Sequence, residues 1–248
     1  MLCLKKKMKN KLDLKILSGN NFNQAITKLD KTRVITFANT HSYFLLMDFK
    51  DLNKISYIFS DGQFLTNLHN IFFQDEKITR ASFDFSSKAD DLFNYAIREN
   101  KVISIIGGEA KDIVDAKKYI LARHPKLKFG FCRDGFFFNE SQEKEAIIAA
   151  TESDIFIIGM GALKQETIAV KIKEMLPKGK LVLTCGAFIS QTAKRGDYYI
   201  PIVKRLGLMW LQRAVLEPHT LNRLFKIPFF LLRYCVSHTR NIYDESKK

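Results

Sequence analysis

Short runs that are apolar or nearly so recur along this chain, each followed by a stretch with helical spacing. No other feature limits its fold so strongly. The clearest run, Ile155–Ile158, lies within Asp154–Glu166, D-I-F-I-I-G-M-G-A-L-K-Q-E. Its β-branched and aromatic residues suit a strand buried on both faces. Similar strands are expected at Arg33–Ala38, Ile55–Ser60, Val102–Ile106, Leu127–Phe131 and Lys180–Thr184. Between them, helices are expected to about Phe49 and to about Phe72, and over Asp84–Glu99, Ala110–Arg123 and Glu140–Glu152. The Asp84–Glu99 segment is the plainest, with Phe85, Ala89, Leu92, Phe93, Ala96 and Ile97 on one stripe. A further helix starts near Lys164 and carries Ile168, Ala169, Ile172, Met175 and Leu176 on one face. Such alternation predicts an α/β fold: a mainly parallel, Rossmann-like sheet with helices on both faces.

Ligands of such sheets sit at the carboxyl ends of the strands. Asn39, Asp61, Gly107, Gly108, Gly159, Gly161 and Gly186 all follow directly on expected strands. Together they describe a glycine-lined crevice with one carboxylate and one amide. Gly159 and Gly161 let the backbone turn sharply before a helix whose first N–H groups suit an anion. The same stretch equally suits an ordinary turn between a strand and a helix.

Charge informs by its location. Residues 1–33 and 194–248 each carry net +7, and the stretch between is neutral. Basic ends on a neutral body point to an anionic surface, lipid or nucleic acid; simple solubilising tails are the competing reading. The four cysteines and five histidines are scattered without paired spacing, so neither a disulfide framework nor a protein metal site is expected. No secretory signal is expected, because the three lysines near the start precede no apolar stretch.

From about Lys194 the alternation stops. Leu206–Leu216 and Leu221–Val236 read as short helices, greasy on one side and basic on the other. Trp210, Phe225, Phe229, Phe230 and Tyr234 lie among cations, which favours an interfacial membrane segment. Helices packed on the core are the alternative.

From about Thr36 to Arg223 the ordered motifs resemble the TagA/WecG/CpsF family of bacterial glycosyltransferases. They are Asn39, Asp61-Gly62, R-A-S-F-D at Arg80–Asp84, Gly107-Gly108, G-M-G-A-L-K-Q-E, and G-L-M-W-L-Q-R followed by Glu217-Pro218. Leu163 stands where the family usually has proline, Met209 where it has glutamate, and His219 and Thr220 where arginines are common. The resemblance implies transfer of a sugar such as N-acetylmannosamine, N-acetylmannosaminuronate or glucose. It implies a UDP-sugar donor and an undecaprenyl-pyrophosphate-type lipid acceptor. It implies an inverting, metal-independent enzyme with no cofactor, working at the inner face of the bacterial plasma membrane. It divides the chain into a nucleotide-sugar-binding catalytic domain, 1–193, and a membrane-docking helical appendage, 194–248.

Glycosyl transfer needs a base for the acceptor hydroxyl and charge to meet the departing nucleotide diphosphate. Asp61 is the expected base, being the only carboxylate directly at a strand end beside a glycine, where partial burial would raise its pKa. An Asp-Gly turn or helix cap is its plainer role. Arg80, Arg213 and Arg223 are candidate phosphate partners, and the backbone from Gly161 to Gln165 offers N–H groups. Asn39, Gln165 and Glu166 are candidate polar contacts, as are Gly107 and Gly108 by close approach. Two other classes compete. A basic nucleic-acid-binding protein fits the pI near 9.6 but leaves the crevice without a role, so no nucleic acid is expected. A dinucleotide oxidoreductase would need G-x-G-x-x-G, and Lys164 stands where its third glycine belongs.

Overall fold

The computed structural model describes residues 9–27, 29–195, 200, 202, 203, 212, 215, 216 and 226–244. Its strands are β1 (Ile16–Leu17), β2 (Arg33–Ala38), β3 (Tyr57–Ser60), β4 (Val102–Gly107), β5 (Lys128–Arg133), β6 (Ile155–Gly159) and β7 (Leu181–Thr184). They form one seven-stranded sheet in the order β1-β3-β2-β7-β6-β4-β5. Every pairing is parallel, with Ala38 beside Ser60, Ile158 beside Thr184 and Gly107 beside Gly159. The expected α/β, Rossmann-like sheet is therefore present. The expected strands all form, with ends shifted by up to two residues.

The helices around it are α1 (Phe22–Thr27), α2 (Tyr43–Met47), α3 (Gln63–Phe72), α4 (Ala89–Arg98) and α5 (Ala110–Arg123). After them come α6 (Glu140–Ala149), α7 (Lys164–Met175), α8 (Phe188–Arg195) and α9 (Ile227–Asp244). Period-two alternation sorts each strand between two cores. Phe156 and Ile158 join α2, α3, α7 and α9 on one face; Ile155 and Ile157 join α1, α4, α5 and α8 on the other. Because both faces are covered, the central strands β6 and β7 are buried at every position, whereas edge strand β5 keeps Lys128 and Arg133 at its ends.

Three local readings need correction. The helix expected from Asp84 begins at Ala89, because the Asp84 carboxylate accepts from the Ser86 N–H at 2.7 Å and its hydroxyl, closing a turn instead. Helix α8 was not expected at all. Phe230 and Tyr234, grouped with the membrane-facing aromatics, are core residues, 5% and 0% exposed. Phe229 on the same helix is 71% exposed. Arg213, Arg223, Trp210 and Phe225, with most of 206–225, lie outside the described residues.

Helix α9 reaches the core through one buried cluster. The His238 Nε2 is 2.7 Å from Asp13 Oδ2, and the Tyr43 hydroxyl donates to Asp13 Oδ1 at 2.6 Å. Asn10 N–H also donates to Asp13 Oδ2, at 3.0 Å. Among the described residues no helix is long and apolar enough to cross a membrane.

Candidate active site

The sheet changes direction where β7 inserts between β2 and β6, and a cavity opens above the carboxyl ends of those strands and β3. It holds about 460 Å³. Asn39, Asp61, Arg80, Gly161 and Gln165 all line it, so five residues singled out in the sequence converge on one space.

Each arrives there for a local reason. Asn39 ends β2, and its side-chain oxygen accepts the N–H groups of His41 (2.9 Å) and Ser42 (3.1 Å), starting the turn into α2. Asp61 ends β3, with its N–H on Ala38 O at 2.7 Å. Arg80 lies between two carboxylates: its Nη2 is 3.8 Å from Asp61 Oδ1 and 3.6 Å from Asp84 Oδ2, and it also donates to the Ser82 hydroxyl. Ser82 in turn donates to Asp84 Oδ2 at 2.8 Å. Among the described residues lining the cavity, Arg80 is the one guanidinium or ammonium group, and it stands beside two acids.

Glu166 does not line the cavity; it underpins it. The carboxylate is 1% exposed and accepts from the Thr36 hydroxyl (2.7 Å), Gln165 Nε2 (2.9 Å) and Leu163 N–H (2.6 Å). Its place in the first turn of α7 suits its charge. Gln165 is thereby fixed from behind, while its oxygen accepts the Gly186 N–H at 3.1 Å. The N–H groups of Leu163 and Gln165 are both spent internally, the latter on Gly161 O at 3.1 Å. Fewer N–H groups of the turn therefore face a ligand than the sequence suggests.

The two glycines after β4 separate. A Cβ on Gly107 would fall 2.3 Å from Gly159 O, so Gly107 serves strand-to-strand approach. Gly108 lines a neighbouring cavity of about 260 Å³ that shares Gly159 and Ser190 with the first. Lys164 and the 63% exposed Phe136 also border it.

Three cavity residues escaped sequence reading. Asp84 is visible only as the end of R-A-S-F-D. Gln191 sits on α8, 8% exposed, and its Nε2 has no hydrogen-bond partner among the described residues. A buried donor left open on a cavity wall fits a ligand oxygen. Cys185 lines the wall too, and burial raises its thiol pKa above the ordinary range.

Leu163, at the helix start, has φ +68°. Proline is locked near −65° and has no N–H to give Glu166. Leu163→Pro should therefore cost roughly 3 kcal/mol by urea unfolding. A neutral proline variant would show that the turn adopts another geometry.

Comparisons with known proteins identify the family. The model of the glycosyl transferase WecG/TagA/CpsF family matches residues 11–243. A UDP-Gal:alpha-D-GlcNAc-diphosphoundecaprenol beta-1,4-galactosyltransferase of Shigella boydii is 38% identical over 218 residues, covering 87% of this chain and 91% of its own. An N-acetylglucosaminyldiphosphoundecaprenol N-acetyl-beta-D-mannosaminyltransferase of Staphylococcus aureus (strain NCTC 8325 / PS 47) is 22% identical over 203 residues, covering 81% and 75%. With a family match spanning nearly the whole chain, the protein belongs to the WecG/TagA/CpsF glycosyltransferases.

Proposed function

We propose that this enzyme transfers a hexose from a UDP-sugar to a sugar, N-acetylglucosamine by analogy with both relatives, carried on an undecaprenyl-diphosphate-type lipid. The likeness to the Shigella relative, which is named for UDP-Gal, supports UDP-galactose as the donor. The reading rests on one observation: Asp61, Arg80 and Gln165, distant in sequence, line a single cavity at the carboxyl edge of the sheet.

In this reading Asp61 accepts the proton of the acceptor hydroxyl as its oxygen attacks the anomeric carbon. The bond from that carbon to the β-phosphate oxygen breaks, and UDP leaves. One displacement inverts the anomeric centre and needs no enzyme nucleophile. Arg80 and the N-terminal turn of α7 meet part of the charge on UDP. Because Arg80 already serves two carboxylates, further cations are required, and Arg213 and Arg223 are assigned that role. Gln191 and Asn39 contact sugar oxygens, and the nucleoside occupies the neighbouring cavity against Phe136. We retain residues 194–248 as the segment that brings the enzyme to the anionic inner face of the membrane, peripherally bound.

A panel of UDP-sugars offered with a short-chain lipid diphosphate N-acetylglucosamine, read by product mass, tests this. The expected product gains one hexose, fastest from UDP-galactose. Absence of product from every donor would overturn the reading.

A further inference from the structure

A second depression, of about 240 Å³, runs alongside the catalytic cavity between α2 and α9. His41, Phe44 and Leu45 form one wall; Lys226, Phe229 and Arg233 belong to the other. His41 lines both spaces, so the depression adjoins the catalytic cavity at that residue.

The two helices run in step. Phe44 meets Phe230 at 5.4 Å between ring centroids, Arg233 lies over Phe44 at 4.0 Å, and Arg233 pairs with Asp48 at 3.2 Å. Lys226 therefore sits at the His41 end, and Arg233 marks the far end, about 10 Å further along α9. Between them the walls are apolar and open: Leu45 is 40% and Phe229 71% exposed. Among the described residues no acid lines the groove. Exposed apolar side chains in a row beside a cation mark a surface that is covered in use.

The catalytic cavity fixes what covers it. A ligand presenting a sugar to Asp61 and leaving past His41 would place its next group beside Lys226 and its remainder over Leu45 and Phe229. That order, sugar then anion then apolar chain, is the order of groups in a prenyl diphosphate sugar. A bilayer surface is flat and does not enter a groove joined to the catalytic space. We propose that this groove binds the diphosphate and first prenyl units of the acceptor, with Lys226 and His41 at the diphosphate and Leu45 and Phe229 along the chain. The assignment rests on the lipid-diphosphate acceptor proposed above.

The test compares full-length enzyme with a Leu45→Ser, Phe229→Ser double variant. Both side chains are exposed, so the fold tolerates the change. Two acceptors are used, N-acetylglucosamine diphosphate on a farnesyl chain and the same head as a methyl ester. The double variant should lose at least about tenfold in the ratio of kcat/KM between farnesyl and methyl acceptors, the effect of removing two apolar contacts. Its affinity for farnesyl diphosphate should fall likewise, while its affinity for inorganic pyrophosphate holds. An unchanged ratio overturns the proposal. So does a loss confined to binding of anionic vesicles free of prenyl diphosphate, which would make this face a bilayer contact. If the wild-type enzyme uses neither acceptor, the acceptor reading itself fails; a farnesyl diphosphate affinity unaffected by the two substitutions would then reject the groove as well.

Discussion

Replacing Asp61 with Asn should lower sugar transfer about a thousandfold while donor affinity changes less than threefold. A positioned general base contributes roughly 10²–10⁴ in rate, and an amide of the same shape cannot take the proton. The surroundings are otherwise preserved. Gly62 still turns the chain at φ +107°, and the Asp61 N–H still bonds Ala38 O. Arg80 keeps Asp84 at 3.6 Å and the Ser82 hydroxyl, so its place on the cavity wall does not depend on Asp61 alone. Asp61→Ala should be no worse in rate than Asp61→Asn, since both lack the carboxylate. The measurement is initial-rate transfer alongside calorimetric titration with UDP. Near-wild-type turnover in the Asn variant would remove Asp61 from the base role. A parallel loss of UDP binding would make it a donor-site residue instead.

The sheet was legible because its physics is one-dimensional. A strand covered on both faces must be apolar at successive positions, and Ile155–Ile158 shows that without any partner in view. Strand β1 has only two residues, at the sheet edge, too short to carry a pattern. Asp61, Asn39 and Gln165 were legible for a related reason: parallel strands bring all their carboxyl ends to one edge. Distinguishing wall from foundation was not possible in one dimension. Gln165 and Glu166 are neighbours in sequence, yet one lines the cavity and the other is buried behind it. Gly107 and Gly108 divide in the same way, one against Gly159 and one on the wall of a cavity. Gln191 depends on α8 crossing the cavity, which no local periodicity announces. The aromatic residues of α9 show the limit most clearly. An amphipathic helix has the same spacing whether its greasy side meets lipid or core, and Tyr234 is buried because of partners far away in sequence.

Those partners predict the largest loss of stability. Asp13→Asn should destabilise the protein by roughly 3–5 kcal/mol, because an amide leaves buried hydrogen-bonding groups unpaired at about 1–3 kcal/mol each, and more where a charge is involved. The carboxylate takes Asn10 N–H and His238 on one oxygen and the Tyr43 hydroxyl on the other, all within 3.0 Å, with both Asp13 and His238 0% exposed. An asparagine offers one acceptor oxygen and turns an NH₂ toward a donor, leaving at least one buried group unpaired. Surrounding groups offer no substitute: burial pushes the Tyr43 and Tyr234 hydroxyls far above their ordinary range, and His69 nearby is lowered to about 4 by burial. Against a total stability of about 5–15 kcal/mol, the loss is a third or more in most of that range. Urea unfolding measures it, and a change below about 1 kcal/mol would show that the cluster does not hold α9. The consequence extends to catalysis, because α9 also carries Lys226-adjacent Phe229 and Arg233 along the groove beside the active site. At temperatures where the Asn variant remains folded, its KM for a prenyl acceptor should rise before its affinity for UDP falls, since loosening α9 opens the groove and leaves the β6–α7 turn in place.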